Sequence, residues 1–203
     1  MDLCNTFHTF HNTLSLSLFL CDEQLSILFL ISGEHIRVKK KFTLKMDSNQ
    51  LNRYAEKLKL ANFMGVFASD ELSLIPQSQT GLLIFNTDSS KNSGQHWISL
   101  CITNQYIFYF DPLNLYFHFQ KDISEFLIKS DKDVVMNSIP IQANDSIYCG
   151  KHCLVFCYIM FMENSMKQYT RWLKTFSNHN IQEREELSLA VFDLINSDKD
   201  YVI

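Results

Sequence analysis

The apolar positions of the chain change their spacing several times, and each spacing indicates a type of element. From residue 46 onward the apolar side chains recur at close to 3.6 residues, which predicts an amphipathic helix with Asp47 or Ser48 as its N-cap. The apolar positions of this helix are Leu51, Tyr54, Leu58 and Leu60.

Three short runs that follow have the composition of β-strands. Residues 81–86 are apolar and bounded by polar residues, and the segment 87–94 has the Ser, Asn and Asp content of a loop. Residues 96–103 alternate between two faces, and residues 106–110 are aromatic or β-branched up to an Asp-Pro pair. The three runs are predicted to be neighbouring strands of one sheet.

The remaining segments complete an α+β domain. Residues 119–129 predict a helix, and residues 134–142 a further strand, in which Pro140 indicates an edge or a strand end. Residues 147–162 are almost wholly apolar and long enough for a buried helix, and residues 182–196 predict an amphipathic acidic helix. The expected architecture is a mainly antiparallel or mixed sheet packed on a buried central helix.

Residues 1–45 have a different pattern and are predicted to be an N-terminal extension to a functional domain of residues 46–203. Two apolar runs, 14–20 and 25–31, are separated by Asp22 and Glu23. Each acid near the middle of a spanning helix would cost roughly 2.5–3.5 kcal/mol, so we expect no stable membrane insertion. The acidic start of the chain is also unlike the basic start of a signal peptide.

Composition narrows the class of protein. With 203 residues, 46% of them hydrophobic, the chain has enough apolar material for one core. A formal net charge of −4 argues against a surface built mainly to bind DNA. The six cysteines lack the spacing of a secreted disulfide framework, which predicts a reduced, intracellular and monomeric protein.

Cys149 and Gly150 stand where a polar loop meets the buried helix. A thiol at a helix N-terminus meets unpaired backbone N–H groups and the positive end of the helix dipole, and both stabilise the reactive thiolate. Gly150, having no side chain, would let a substrate backbone approach. Taken alone, such a pair is more often structural than functional.

Three further residues complete a candidate catalytic site. His96 begins one predicted strand and Asp111 ends the next, so antiparallel pairing would place them side by side, with the carboxylate orienting the imidazole as a general base. Gln142, seven residues before Cys149, is a candidate donor to an oxyanion. Trp97 is a further candidate for substrate contact, although core packing is its commoner role. Each of the other three residues also has a simpler interpretation. His96 could be a histidine at a loop edge without a role, Asp111 could only form an Asp-Pro turn, and Gln142 could be a surface glutamine.

The order of these residues resembles the adenovirus protease (adenain) and its relatives, the SUMO and ubiquitin-like-protein proteases. The resemblance covers about residues 46–165. It is carried by residues 63–67 and 83–87, by Gly94-Gln95-His96-Trp97, by Phe110-Asp111-Pro112 and by the run from Gln142 to Cys149-Gly150. Two positions depart from the family patterns: Tyr148 replaces the Asp usual before the cysteine of SUMO proteases, and Asp111 replaces the Glu of adenain.

The resemblance implies a papain-like cysteine peptidase core in permuted order, with His96, Asp111 and Cys149 as the triad and Gln142 in the oxyanion hole. It implies an endopeptidase without a cofactor that cleaves structural precursors of a virus or virus-derived element at Gly-containing sites, as in virion maturation. A peptide activator and a location in the nucleus or cytoplasm of a host cell, or within the virion, follow from the same likeness. The alternative is a SUMO-type isopeptidase or processing protease.

Two other classes remain open from the sequence. A catalytically inactive binding module could keep this fold. A zinc site could use Cys4, His8, His11 and Cys21, or Cys149, His152 and Cys153, but these spacings match no familiar zinc motif, so no metal is predicted. The other cysteines of the domain, Cys101, Cys153 and Cys157, fall at positions expected to be buried.

Overall fold

The structure is a computed structural model, and it describes residues 45–115 and 121–197. These residues belong to one compact unit, Thr43–Ile203. The predicted N-terminal extension lies almost wholly outside the described residues, and its boundary at residue 46 stays a prediction. In chain order the elements are α1 (Ser48–Lys57), β1 (Phe63–Ala68), a 3₁₀-helix (Ser69–Leu74), β2 (Gly81–Asn86), β3 (Trp97–Ile102), β4 (Tyr106–Phe110), α2 (Lys121–Lys129), β5 (Asp133–Met136), α3 (Cys149–Met162), α4 (Met166–Phe176) and α5 (Ile181–Ser197).

The five strands form one mixed sheet in the order β1-β2-β3-β4-β5. The three central strands pair antiparallel, whereas β1 joins β2 and β5 joins β4 in parallel. Every residue of β2 and β3 is buried, because helices cover both faces of the sheet. The sequence prediction of an α+β fold with neighbouring strands at 81–86, 96–103 and 106–110 is confirmed.

One face of the sheet packs against α2 and the 3₁₀-helix. The alternation predicted for β3 places Ile98, Leu100 and Ile102 on this face, where they join one apolar cluster. The other main members of the cluster are Leu72, Ile75, Leu83, Phe85, Ile107, Tyr109, Ile123, Phe126 and Leu127. This layer packs against Ile98 near the start of β3 and Tyr109 near the end of β4.

The opposite face packs against α3, which is the buried central helix that the apolar run predicted. Most residues of α3 are buried. The ring of Phe156 in α3 stacks on Phe110 of β4 at 5.1 Å between centroids, and Trp172 of α4 meets Phe110 edge-on at 4.9 Å. These contacts help to hold the first turn of α3 beside the start of β3 and the end of β4.

The cap of α1 was correctly predicted, but its end was not. Asp47 is the N-cap, and it forms a capping box with Gln50, in which the side chain of each residue accepts a hydrogen bond from the backbone N–H of the other. The helix ends at Lys57, because Lys59 has a left-handed backbone with φ of +53°. Leu60 therefore follows the helix, although its side chain is still buried.

The strand predicted over residues 134–142 is too long. β5 ends at Met136, and the chain then turns because the Asn137 side chain donates hydrogen bonds to the backbone oxygens of Asp111 and Ile139. β5 is a sheet edge, as Pro140 indicated. The helix predicted over residues 119–129 is α2, and Phe119 lies outside the described residues.

Three elements were not predicted: the 3₁₀-helix, β1 and α4. β1 contains Gly65 at a positive φ and lies at the other edge of the sheet. α4 begins after Ser165, whose hydroxyl accepts a hydrogen bond from the N–H of Gln168. The buried face of α4 carries Tyr169, Trp172 and Phe176 at helical spacing, which was a readable signal. Within the described ranges, no helix combines the length and the apolar character that a membrane span requires.

Candidate active site

Cys149 is the first residue of α3, and its thiol lies at the junction of α3 with the start of β3. The residue is only 3% exposed. Burial alone would raise the pKa of Cys149, but hydrogen bonds with His96 and with the backbone of Trp97 and Gly150, together with the charge of His96, lower it below its usual value. The sulfur is therefore poised to be a thiolate.

His96 immediately precedes β3 and connects Cys149 to Asp111. Its Nε2 lies 2.7 Å from Oδ1 of Asp111, which leaves Nδ1 as the ring nitrogen for Cys149. Burial opposes the charged imidazolium, but the hydrogen bonds with Asp111 and Cys149 and the charges of both outweigh it and raise the pKa of His96 to about 9. With the lowered pKa of Cys149, the arrangement favours a thiolate–imidazolium pair.

Asp111 follows β4 and is almost fully buried. Its Oδ1 accepts a hydrogen bond from the N–H of Leu113 at 2.9 Å, and its Oδ2 accepts one from Leu115 at 2.8 Å. Asn137 holds the same residue by its backbone, accepting from the Asp111 N–H and donating to the Asp111 carbonyl. A carboxylate with these donors has one preferred orientation, so it also orients the imidazole.

Asn137 is a supporting residue that the sequence analysis missed. It is 3% exposed, and its side chain is used by Asp111 and Ile139. The available signal was a polar amide that interrupts the apolar run predicted as a strand. Buried polar side chains of this kind are usually hydrogen-bonded, so its position suggested a partner.

Gln142 is buried in the segment that leads from β5 to α3. Its backbone N–H, like that of Ile141, donates to the carbonyl of Pro112, which fixes the segment to the turn after Asp111. Its side-chain Nε2 donates to the carbonyl of Ser146 at 2.8 Å, and among the described residues its Oε1 has no partner. One Nε2 hydrogen is thus used inside the loop, and the second is left for another acceptor.

Trp97 and Gly150, the two candidates for substrate contact, both contact other residues of the chain. Trp97 donates from Nε1 to the carbonyl of Met46 at 2.9 Å, and its ring lines a cleft of about 410 Å³. A Cβ on Gly150 would lie 3.1 Å from Leu51 Cδ2, so the missing side chain of Gly150 makes room for α1. The direct role of either residue in substrate binding stays a prediction.

The other cysteines of the domain are buried thiols, as expected. Burial raises the pKa of Cys101, Cys153 and Cys157, and the Cys153 thiol donates to the carbonyl of Trp97. Across residues 45–115 and 121–197, no group of three or more His, Cys, Asp or Glu side chains is placed to bind a metal ion. The candidate set of Cys4, His8, His11 and Cys21 lies outside the described residues.

The structure thus brings His96, Asp111 and Cys149 into one contiguous contact chain. Gln142 lies on the loop that enters α3, connected to Asp111 through the Pro112 carbonyl. The predicted antiparallel arrangement explains the His96–Asp111 contact, because the start of β3 and the end of β4 are neighbours.

No protein-family model matches the sequence, and no curated protein is significantly similar to it. Similar solved structures include ChlaDub1 from Chlamydia trachomatis, at 14% identity over 59% of this chain and 61% of that chain, with a TM-score of 0.39. A protease of ASFV matches at 15% identity over 73% of this chain and 64% of that chain, with a TM-score of 0.39. The AvrA structure matches at 16% identity over 74% and 67% of the two chains, with a TM-score of 0.40.

All three of these structures have the fold of the SUMO and ubiquitin-like-protein protease family. In the first two cases the match spans less than two thirds of the other chain.

Proposed function

We propose that this protein is a cysteine peptidase with Cys149 as nucleophile, His96 as general base and acid, Asp111 as orienter and Gln142 as oxyanion donor. The observation that carries the proposal is the 2.7 Å contact of His96 Nε2 with the buried Asp111 carboxylate, together with the electrostatic interaction of the same imidazole with Cys149, the first residue of a buried helix. A thiolate paired with an imidazolium is the form in which a cysteine attacks an amide carbonyl.

The chemistry then proceeds in two halves. The Cys149 thiolate forms a bond to the scissile carbonyl carbon, and the carbonyl electron pair moves to oxygen. The Cys149 backbone N–H, which has no partner within the helix, and the second Nε2 hydrogen of Gln142 stabilise this oxyanion. His96 gives its proton to the leaving amine as the C–N bond breaks. Water then attacks the thioester carbonyl while His96 takes its proton, and the C–S bond breaks, which releases a carboxylic acid and restores the thiolate–imidazolium pair.

The low solvent exposure of Cys149 and His96 supports a substrate with small residues beside the scissile bond. The thiol-bearing residue is 3% exposed and the His96 side chain 12%, so little space is open above the sulfur. Glycine has no side chain and presents its backbone to such a site most closely. We therefore propose cleavage after Gly-containing sequences by an adenain-type endopeptidase of a virus or virus-derived element.

The test is cleavage of a fluorogenic peptide library by the purified chain and by matched variants. Cys149→Ala should abolish turnover while the circular dichroism spectrum is unchanged, and His96→Ala should be nearly as severe. Cys157→Ala, which removes a buried thiol two turns further along α3, is the control and should keep its activity. Turnover by Cys149→Ala would rule out the mechanism.

The same library separates the substrate classes. A motif found in viral structural precursors supports the endopeptidase, whereas cleavage only after Gly-Gly of a ubiquitin-like C-terminus supports the SUMO-type alternative. An electrophilic peptide aldehyde or vinyl sulfone that does not label Cys149 in the folded protein would favour an inactive binding module.

A further inference from the structure

The turn that leads into His96 is fixed by hydrogen bonds from outside β3. His96 directly precedes β3, and its carbonyl accepts a hydrogen bond from the N–H of Thr87 at 2.9 Å, which continues the pairing of β2 with β3. The residue before it, Gln95, donates from its backbone N–H to Oδ1 of Asn86 at 3.0 Å. The position of the imidazole therefore depends on this turn as well as on the strand.

Asn86, the last residue of β2, connects the two ends of the loop of residues 87–95. It is 6% exposed, and its Oδ1 accepts hydrogen bonds from the N–H of Asp88 at 2.9 Å and from that of Gln95. A buried amide is costly unless it is hydrogen-bonded, and these two bonds supply partners for its oxygen. Gly94 allows the close approach, because its φ is +81° and a Cβ there would lie 2.7 Å from Asn86 Nδ2.

Lys45 holds the same turn from the solvent side. Its Nζ donates hydrogen bonds to the carbonyls of Gly94 at 3.0 Å and Gln95 at 2.8 Å. The next residue, Met46, accepts the hydrogen bond of the Trp97 indole, as described above. The segment that precedes α1 thus contacts the chain immediately before and immediately after the catalytic histidine.

The middle of the loop has a separate support in the 3₁₀-helix. The Asp70 carboxylate accepts hydrogen bonds from the Ser89 hydroxyl at 2.9 Å, from the Ser90 N–H at 2.8 Å and from the Ser90 hydroxyl at 2.9 Å. Because these bonds do not involve Asn86 or Lys45, loss of either side chain should loosen the end of the loop beside β3 and leave its middle in place.

We propose that Asn86 and Lys45 are positioning residues for His96. They fix the turn before β3, so that the imidazole can meet Asp111 through Nε2 and Cys149 through Nδ1 at the same time. The inference rests on the proposed function, which assigns the imidazole as general base and acid. An imidazole with partners on both nitrogens tolerates little movement of its backbone, and a misplacement of about 1 Å can cost about 100-fold in rate.

The test follows two reactions of Cys149 in the full chain from pH 5 to 10, alkylation by iodoacetamide and peptide cleavage. Alkylation needs the thiolate but no substrate, and its midpoint is low only while the imidazolium lies beside the sulfur. Asn86→Ala should move this midpoint to higher pH by about 0.5–1 unit and lower kcat/KM by about 10- to 100-fold. A loss of stability alone would reduce the amount of folded protein without moving the midpoint.

Asn86→Asp tests the role of the oxygen. The carboxylate keeps an acceptor for both backbone N–H groups but has no N–H of its own. It should therefore restore the low midpoint and most of the kcat/KM that Asn86→Ala loses. An Asn86→Asp protein that resembles Asn86→Ala would overturn the role assigned to Oδ1.

The Lys45 variants test the second contact at an exposed position, where folding is not at risk. Lys45→Met should lower kcat/KM by about 2- to 10-fold, and Lys45→Arg, which keeps the donors, should restore it. Loss of the charge alone would raise the pKa of His96, whereas displacement of the ring from its anionic partners lowers it, so the basic limit of cleavage should move to lower pH. Lys91→Met, at an exposed position of the same loop, is the matched control and should change neither reaction.

The outcomes separate this inference from the proposed function. If Asn86→Ala and Lys45→Met keep the midpoint of the unchanged protein, the positioning role is overturned, whether or not kcat/KM falls, and the peptidase stands. If Asn86→Ala does not fold, the Lys45 variants decide the same question. If the unchanged protein cleaves no peptide but these variants still raise the midpoint, the proposed function fails while the positioning role stands. An unchanged protein with the midpoint of an ordinary thiol would overturn both.

Discussion

At the scale of single residues, the candidate site depends on two opposite pKa shifts in one contact. The pKa of Cys149 is lowered and that of His96 is raised to about 9, because each group stabilises the charged form of the other. Burial works against both charges, but it also keeps water from screening their attraction. Asp111 adds a buried negative charge on the far side of the imidazole.

The pH dependence of Cys149 reactivity is the first prediction at this scale. At pH 6 iodoacetamide should alkylate Cys149 faster than an ordinary thiol, which is only about 0.3% ionised there, because the pKa of Cys149 is lowered. Peptide cleavage should fall as pH rises through about 9, because His96 loses the proton that the leaving amine needs. Alkylation and cleavage rates measured from pH 5 to 10 check both expectations. An alkylation rate with the pH dependence of an ordinary free thiol would contradict the ion pair.

Asp111→Asn tests the orienting carboxylate. The amide keeps the size of the side chain but removes the charge, so the pKa of His96 should fall and the basic limit of cleavage should move to lower pH. We expect kcat/KM to fall by about 100- to 10,000-fold, less than in Cys149→Ala. Asp122→Asn, at an exposed position of α2, is the matched control, and an unmoved basic limit in Asp111→Asn would exclude the assigned role.

At the scale of elements, the start of α3 is defined by close packing as much as by its sequence. Tyr148 is the N-cap and provides no side-chain cap, so the first N–H groups of the helix have no partner within it. Gly150 lets α1 approach this turn, and Trp97 connects the start of β3 to Met46. The position of Cys149 therefore depends on α1, β3 and α3 together.

Gly150→Ala should show how tight this junction is. Alanine favours a helix by about 1 kcal/mol over glycine, but overpacking costs about 1–3 kcal/mol. Because the new Cβ would lie 3.1 Å from Leu51 Cδ2 and 3.3 Å from Met46 Cβ, we expect the packing cost to win. Urea unfolding should show a lower free energy of unfolding for Gly150→Ala.

The control for this prediction is a double-mutant cycle with Leu51→Ala, which removes the nearest atom. The double variant should be less destabilised than the sum of the two single variants, since the shortened side chain relieves the contact. A more stable Gly150→Ala protein, or strict additivity, would show that the junction is looser than the structure indicates.

At the scale of the whole molecule, the sheet has a rigid layer of helices on each face, and the site lies at one end of it. α4 belongs to the layer behind α3, where Trp172 contacts the rings of Phe110, Phe156 and Phe176 at 4.9, 5.8 and 5.5 Å. This ring cluster joins β4, which ends at Asp111, to α3, which begins at Cys149. The ring cluster thus fixes the distance between the end of β4 and the start of α3.

Trp172→Ala should remove the centre of this cluster. A buried tryptophan truncated to alanine costs about 3–5 kcal/mol, and the free energy of unfolding should fall by that amount in a urea titration. Lys167→Ala, at an exposed position of the same helix, should change it by no more than about 0.5 kcal/mol. A Trp172→Ala protein with unchanged stability would mean that α4 is not part of the core.

The sequence by itself determined the elements whose apolar spacing can be read within a single segment of the chain. Apolar spacing identified α1, the three central strands, α3 and α5, because an amphipathic or wholly apolar run has one favourable backbone conformation. The same reasoning paired the start of β3 with the end of β4, and so placed His96 beside Asp111. The functional roles of these residues remain to be tested by the variants above.

The tertiary structure decided what depends on partners distant along the chain. The strand predicted over 134–142 ends early because Asn137 bonds to Asp111, and no local pattern contains that contact. The space beside Gly150, where a side chain would lie, is occupied by Leu51 of α1. The segment that carries Gln142 is bound by Arg184 of α5, more than 40 residues further along the chain. Local spacing records the conformation of a segment, whereas side-chain position in a packed interior depends on all the neighbours that the fold brings to it.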